Sequence, residues 1–235
     1  MARTVLCITK AFEKPKALTD LVIFSDERPM LPSGDLASYL RYCSNYAREY
    51  QVYLVPHRFV INNQLTLCLF DPQGEIVGYQ AALHRHMPSQ NRLEQGDDIN
   101  IMQTPIGNLF LCVDCDIYHP EILRLAKLKG ADLIISSQYI APNDLKPRRI
   151  TSGIWNAAQQ QGVYVVGCSN VFCAVAAPWE ICPDGSGFLI QPEASSQLFC
   201  KLYFNKLERC TMGGNLASKL NEKLCQRYAS LLGQP

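Results

Sequence analysis

Short apolar runs of strand length alternate with segments of helical periodicity along this chain, and that alternation limits the fold more than any other feature. Residues 20–26, DLVIFSD, form a continuous apolar run ending in polar residues, which is typical of a buried strand. Residues 34–50 repeat apolar side chains at three- and four-residue steps and predict a helix. Residues 64–81 predict two strands about a DPQG turn. Hairpins mixed with helix crossovers favour one α/β domain spanning residues 1–235, with helices covering packed sheets.

The same criteria predict the remaining elements. Apolar runs predict strands at 3–9, 51–60, 105–114, 131–137, 163–171 and 196–204. A second hairpin is expected over 179–192, with PDG at its turn. Helical periodicity predicts helices at 119–130, 150–162 and 215–232. No internal repeat or linker-like tract divides the sequence.

The charge balance and the cysteine content exclude several classes of function. The chain has 22 basic and 21 acidic residues and a formal net charge of +1, which gives no electrostatic reason to expect nucleic acid or a charged membrane surface as partner. Gly, Ser and Asn interrupt the longest apolar runs, so no membrane span is expected. The eleven cysteines are an odd number, and the first residues do not resemble a signal peptide. A reducing, cytoplasmic location is therefore predicted, with most thiols buried as small apolar groups.

Five blocks, in order, resemble the nitrilase superfamily, also called carbon–nitrogen hydrolases. DLVIFSDE (20–27) is similar to the family's D-L-I-V-F-P-E, and the hairpin in 63–84 to D-P-x-G followed by G-x-x-x-K-x-H. LEQGDD (93–98) is similar to E-P-G-D. Residues 104–137 resemble T-P-x-G-x-x-G-x-x-I-C-Y-D-x-R-F-P-E with the following L-x-x-x-G-A-D, and 155–171 resemble R-A-x-E-N-x-x-Y-V-V-x-x-N. The ordered set is far more specific than any one block.

The resemblance, which covers residues 20–204, implies a four-layer α-β-β-α sandwich, usually dimerised through one helical layer. It also implies attack of a cysteine thiolate on an amide or nitrile carbon. A glutamate serves as general base, and a lysine stabilises the developing negative charge. No cofactor and no metal are implied.

All three positions of that catalytic triad are substituted in this chain. Asp26 occupies the glutamate position, with Glu27 next to it as an alternative base; the shorter side chain withdraws its oxygen by about 1 Å, which is a costly misplacement. Ala82 occupies the lysine position, and Asp114 the cysteine position. The resemblance therefore predicts a catalytically inactive or altered protein. Two carboxylates without the lysine predict an acidic pocket that attracts a small cation or amine.

Cys115 is the alternative nucleophile. If the strand continues through it, its side chain points to the face opposite Asp114, whereas a turn after the strand could re-aim it into the site. The competing hypothesis is therefore an active amidase-type hydrolase that uses Cys115 with Asp26 or Glu27 as base. Cys112 is interpreted as a core residue, and one CxxC pair in a strand does not favour a metal or redox site.

Other departures bear on ligands and partners. The run His84, Arg85, His86 resembles a cluster of metal ligands. His84 is nevertheless interpreted as the family's structural histidine and His119 as a packing residue. No metal site is therefore predicted. The N-terminal region 1–19 lacks the helix that the family inserts after its first strand. Its loss exposes apolar strand surface, which either a partner or a rearranged N-terminus must cover. A homodimer, or a hetero-oligomer with an active paralogue, is expected, with a small amide, amine or cation as possible ligand.

Overall fold

The computed structural model describes residues 3–16, 18–25, 35–84, 92–141, 147–194, 197–210 and 221–232. The strands are β1 (Thr4–Thr9), β2 (Leu21–Phe24), β3 (Tyr53–Val55), β4 (Phe59–Ile61), β5 (Gln64–Phe70), β6 (Ile76–Ala81), β7 (Ile101–Thr104), β8 (Gly107–Val113), β9 (Leu133–Gln138), β10 (Tyr164–Ser169), β11 (Cys173–Ala176), β12 (Phe188–Glu193) and β13 (Gln197–Leu202). The helices are α1 (Leu36–Tyr50), α2 (Pro120–Leu128), α3 (Pro147–Gln161), α4 (Phe204–Arg209) and α5 (Glu222–Leu232). Short 3-10 helices span Asp114–Tyr118 and Trp179–Ile181.

The strands form two sheets of mixed direction. The first has seven strands in the order β13-β1-β2-β3-β5-β4, with β6 pairing to β5; the second has six in the order β12-β11-β10-β9-β8-β7. Strands β1, β2 and β3 are parallel to one another, as are β8, β9 and β10. The DPQG turn connects β5 and β6, which confirms the hairpin predicted for residues 64–81.

Three apolar clusters define four layers. Side chains such as Leu6 and Leu67 of the first sheet pack against Leu111 and Val166 of the second, forming the core between the sheets. A second cluster lies between the second sheet and helices α2 and α3, and a third lies between the first sheet and α1. This layering confirms the predicted α-β-β-α sandwich, because each sheet buries one face against the other sheet and one against helices.

The segment between β1 and β2 covers part of the first sheet without forming a helix. The Phe12 ring packs edge-on against Phe24 of β2 at a centroid distance of 5.3 Å and against Tyr46 of α1 at 6.2 Å. Lys16 extends over the Phe199 ring of β13, 4.5 Å from its centroid. Of the two answers expected for the missing helix, the described residues therefore show a rearranged N-terminal segment covering the strands.

Several sequence predictions need correction. The predicted strand 51–60 is two strands, β3 and β4. A turn does form at the PDG sequence, where the Gly185 N–H donates to the Cys182 carbonyl at 3.1 Å, but the residues before it form a 3-10 helix instead of a strand. Strand β12 pairs with β11, which precedes the predicted hairpin 179–192 in the sequence. The sequence patterns did not predict β11. Strand β7, with only four residues, was missed as well.

The carboxyl ends of the parallel strands of both sheets meet at one edge of the sandwich. Lys10 and Ser25, which follow β1 and β2, line a cavity of about 190 Å³ together with Ser169 at the end of β10 and Asn170 after it. Because β8 is parallel to β9 and β10, Asp114 lies at this same edge. None of the helices in the described ranges has the length and apolar character needed to cross a bilayer.

Candidate active site

The position aligned with the family's nucleophile lies on a sharp turn. Strand β8, buried along most of its length, ends at Val113, and the chain enters a 3-10 helix at Asp114. Asp114 has φ 52, in the left-handed region that few residues other than glycine adopt, although aspartate tolerates it better than most. Backbone strain of this kind concentrates at functional sites, and here it falls on the position that aligns with the family's nucleophile.

A buried arginine faces Asp114. Arg58 immediately precedes β4, and its Nη1 atom lies 3.2 Å from Oδ1 of Asp114, with 0% and 3% of the respective side chains exposed. The guanidinium comes from the first sheet and the carboxylate from the second. The expectation of an acidic pocket without a cation is therefore wrong for Asp114, because a charge of opposite sign is in contact with it.

Ala82 belongs to the apolar core between the sheets. It follows β6 directly, is 5% exposed, and its N–H donates to the Leu65 carbonyl at 2.8 Å. A methyl group at this position supplies no charge for a developing oxyanion. The position that the family pattern aligns with the lysine thus lies in the core, while the cation at Asp114 comes from a different part of the chain.

The two candidate bases, Asp26 and Glu27, lie outside the described residues. The described chain reaches Ser25 there, whose N–H donates to the Thr9 carbonyl at 2.9 Å. The Ser25 carbonyl accepts a hydrogen bond from Nε2 of His57 at 2.7 Å, in the tautomer that carries the proton on that nitrogen. The carboxyl end of β2 is therefore held against the segment that carries Arg58.

Cys115 is buried, and its surroundings disfavour the thiolate. Because β8 ends at Val113, the alternation of side chains in a strand does not apply to Cys115, and that part of the sequence argument fails. The thiol is 4% exposed and donates to the His84 carbonyl, with Sγ 3.9 Å from the oxygen. Burial, reinforced by the Asp116 and Asp114 carboxylates, raises the pKa of Cys115 to about 12. The reactive species is the thiolate, so at neutral pH this sulfur is almost wholly in its inert form.

Cys112 lies inside β8. It is completely buried, and burial raises the pKa of its thiol well above the usual value. Its position in the cluster between the second sheet and helices α2 and α3 agrees with its interpretation as a core residue.

Asp116 anchors the segment that follows β6. Its Oδ2 accepts the Leu83 N–H at 2.9 Å, and its Oδ1 accepts the His84 N–H at 2.9 Å and lies 3.1 Å from Nδ1 of the His84 ring. Burial raises the pKa of Asp116 to about 6, although these hydrogen bonds favour its ionised form. His84 therefore lies in a structural bond network, as its alignment with the family's histidine predicts.

Arg58 is the residue of this site that the sequence analysis missed. It occurs in the apolar run QVYLVPHRFV, where one charged residue interrupts side chains of strand type. A charged residue within such a run signals a buried partner, because an uncompensated buried charge is very costly. The sequence could not identify that partner, which is 56 positions further along the chain and in the other sheet.

Known proteins resemble the chain in sequence pattern and in fold. A sequence model of the carbon-nitrogen hydrolase family matches residues 20–199. No curated protein sequence matches the chain. Among solved structures, a carbon-nitrogen hydrolase from Helicobacter pylori G27 superposes with a TM-score of 0.71 at 16% identity, covering 88% of this chain and 91% of its own.

Two further structures share the fold. Nit3 of Saccharomyces cerevisiae, a member of branch 10 of the nitrilase superfamily, has a TM-score of 0.72 at 14% identity and covers 89% of this chain and 94% of its own. An amidase from Nesterenkonia sp. has a TM-score of 0.70 at 14% identity over 89% and 94% of the two chains. Since the family model covers most of the sequence and the four-layer sandwich is shared, the chain belongs to the carbon-nitrogen hydrolase family.

Proposed function

We propose that this protein is a non-hydrolysing member of the carbon-nitrogen hydrolase family with a role in binding or assembly. The observation that carries the proposal is the pairing of Asp114 with Arg58. A carboxylate stands at the nucleophile position and a buried guanidinium neutralises it. A carboxylate held in this way cannot do the work of a thiolate at an amide carbon.

Ala82 and the state of Cys115 further lower the hydrolytic activity that is expected. Ala82 leaves its position without a cation, and removing one oxyanion donor alone typically lowers kcat by about a hundred- to a thousandfold. The amidase alternative requires Cys115 as a thiolate, and a pKa of about 12 leaves about one thiol in ten thousand ionised at pH 8. Each missing group raises the barrier, so the substitutions together favour the inactive protein over the amidase.

The site also limits what it can bind. Arg58 already balances the charge of Asp114, so an amine or cation gains little there. A small neutral amide is still compatible, because a guanidinium and a carboxylate offer a donor and an acceptor. The cavity of about 190 Å³ that Lys10, Ser25, Ser169 and Asn170 line at the same edge of the sandwich is smaller than the about 300–1,000 Å³ typical of ligand pockets. The size of this cavity favours assembly over binding of a large ligand within it.

The outer helical layer supports assembly with a second subunit. Leu125 and Leu128 of α2 are 51% and 44% exposed, and Trp155 of α3 is 36% exposed. Between the two helices runs a groove of about 340 Å³. Exposed apolar side chains on the two helices of this layer favour a protein partner. We propose that the protein forms a homodimer, or pairs with an active paralogue, through this layer.

The cysteines support a cytoplasmic location. Within the described residues none of the eleven forms a disulfide, and ten of them are buried. A chain with so many reduced thiols suits a reducing compartment.

Hydrolysis assays test the inactivity. Wild type and Cys115→Ala are assayed on a panel of small amides and nitriles, with Cys225→Ala, which removes an exposed thiol, as the matched control. We expect no turnover above the buffer rate in any of the three proteins. Turnover by wild type that is lost in Cys115→Ala and kept in Cys225→Ala would establish the amidase and refute the proposal.

Assembly is tested separately. Light scattering of the purified chain is expected to give a dimer, and Leu125→Glu is expected to shift it towards monomer. Glu222→Lys, an exposed change in the first turn of α5, serves as control. A stable monomer that also shows no affinity for an active paralogue argues against the assembly role.

Isothermal titration with small amides and with polyamines measures the ligand preference of the protein. We expect a heat of binding with the amides alone.

A further inference from the structure

Three potential metal ligands converge beside the start of α2, outside the site at Asp114. Nε2 of His84 lies 3.9 Å from Oε1 of Glu121, and Nδ1 of His119 lies 3.4 Å from the same oxygen. The ligand atoms of all three side chains lie within 4.8 Å of one another. Around a tetrahedral zinc ion, nitrogen and oxygen ligands about 2.0–2.2 Å from the metal are separated by about 3.4 Å. The separation of His119 from Glu121 already has this value, whereas that of His84 from Glu121 is longer and has to shorten when an ion binds.

We propose that His84, His119 and Glu121 bind a divalent transition metal ion of the zinc type. Two imidazoles and one carboxylate form a donor set that such ions prefer, whereas magnesium and calcium favour oxygen ligands alone. The proposal replaces the sequence-based expectation that the chain has no metal site. It is independent of whether the protein hydrolyses amides.

The buried Asp116 orients His84 for this role. Its Oδ1 lies 3.1 Å from Nδ1 of His84, so a proton on Nδ1 is held by the carboxylate and the lone pair of Nε2 faces Glu121. Metal-binding histidines nearly always donate their second ring nitrogen to a carboxylate or a carbonyl in this way. The Leu83 and His84 N–H groups fix Asp116 in turn. In the tautomer that carries the proton on Nδ1, His84 is thus already oriented as a metal ligand.

The second histidine must move for the ion to bind. The rings of His84 and His119 are stacked, with centroids 3.5 Å apart and an interplanar angle of 4°. The lone pairs of two stacked rings lie in separate parallel planes, so one ion cannot lie in both ring planes. The side chain of His119 is 35% exposed and can rotate, whereas Asp116 holds His84. Binding is therefore expected to separate the stacked rings, which provides an observable change.

The local charges favour a cation. Glu121, in the first turn of α2, and the buried Asp116 are the acidic groups in contact with the histidines. The amino end of α2 opposes a cation, but a helix terminus changes an affinity by less than about tenfold, which is small beside three coordinate bonds. The exposure of Glu121, 44% of its side chain, gives the ion access from solvent and leaves room for water to complete its coordination.

Cobalt and zinc binding tests the proposal on the full-length protein. Co²⁺ is titrated into the metal-free chain while the visible absorption of the ion and the heat of binding are followed, and Zn²⁺ is tested by competition. The variants are His119→Phe, which restores the residue found in the family pattern, and Glu121→Gln. Glu222→Gln is the matched control, since Glu222 is also an exposed glutamate in the first turn of a helix.

We expect wild type and Glu222→Gln to bind Co²⁺ equally, and His119→Phe and Glu121→Gln to lose at least tenfold in affinity. Zn²⁺ is expected to raise the Tm of wild type and not that of His119→Phe. Histidine ring signals in NMR spectra are expected to lose the shifts that stacking causes. Equal Co²⁺ affinity in all four proteins, or no binding by wild type at millimolar Co²⁺, would overturn the proposal.

Discussion

Two carboxylates at the start of one 3-10 helix are stabilised in different ways. The Asp114 site comprises Asp114, Arg58 and Ala82, and the Asp116 site comprises Asp116, Leu83 and His84. Asp114 faces a guanidinium from the other sheet, whereas Asp116 accepts two backbone N–H groups and contacts an imidazole. In the family pattern, the Asp116 site carries the family's residue types, whereas Asp114 and Ala82 align with the family's thiol and lysine. Under the proposed function, the bonds that hold the scaffold are therefore kept while the reactive groups are replaced.

The largest expected effect is that of breaking the ion pair from one side. Arg58→Ala leaves the Asp114 carboxylate buried without its guanidinium, which is expected to cost about 3–5 kcal/mol of unfolding free energy. Removing both charges in the double variant Arg58→Met, Asp114→Leu is expected to recover most of that loss, because neither charge is then buried. Urea unfolding measures both. If the unfolding free energy of Arg58→Ala were within 1 kcal/mol of that of wild type, the pair would behave as a solvent-exposed ion pair and not as a buried one.

The next effect concerns the Asp116 site. Asp116→Ala leaves the Leu83 and His84 N–H groups without their acceptor, and we expect a loss of about 2–4 kcal/mol. Asp116→Asn keeps one acceptor oxygen and is expected to lose less. Urea unfolding again provides the measurement. If Asn and Ala were equally destabilising, the backbone N–H bonds would not be the source of the effect.

Cys115, which lies between the two carboxylates, reports on both sites. Its raised pKa of about 12 means that the thiolate fraction is very small at pH 8 and increases as the pH rises towards 12. Iodoacetamide at pH 8 is expected to modify the exposed Cys225 and to leave Cys115 unmodified, as read by peptide mass spectrometry. Unfolding in urea, the control, should expose both. Modification of Cys115 at the rate of Cys225 in the folded protein would contradict its burial.

The smallest effect is expected at the far end of the same 3-10 helix. The Tyr118 hydroxyl donates to Oε1 of Gln138 at 2.9 Å. Tyr118→Phe removes one neutral hydrogen bond, and a loss of about 0.5–1.5 kcal/mol in urea unfolding is expected. The loss of unfolding free energy in this variant is a reference for one hydrogen bond, against which the losses at the Asp114 and Asp116 sites can be compared. A loss as large as that of Arg58→Ala would mean that the whole helix, and not the ion pair, determines stability here.

Most of the fold was readable from local patterns. Long buried strands, such as β5 and β8, carry many apolar residues, and the DPQG turn fixes a hairpin by itself. Strands of four residues, such as β7 and β11, carry too few positions for a period to be recognised. The segment 179–181 illustrates a related limit of local patterns. The PDG sequence correctly predicts a turn, but it does not show whether the residues on its two sides pair as strands.

The candidate site was predictable only in part. Asp114 and Ala82 could be placed because their neighbours keep the family pattern. Arg58 could not, because its role depends on contact between two sheets and not on the residues beside it. The convergence of His84 with His119 was missed for the same reason, since the two residues are 35 positions apart with two strands, β7 and β8, between them.

The turn at Asp114 and its partner Arg58 also bear on how this chain could regain a lost chemistry. A single change of Asp114 to cysteine would leave the guanidinium facing a neutral thiol, deprived of the carboxylate that offsets its burial. Ala82 would still lack an ammonium group. Recovery of hydrolysis would therefore require coordinated replacements in separate segments of the chain, with intermediates less stable than the starting protein. If the protein has lost its nucleophile, as proposed above, the buried ion pair makes restoring a cysteine at this position costly in stability.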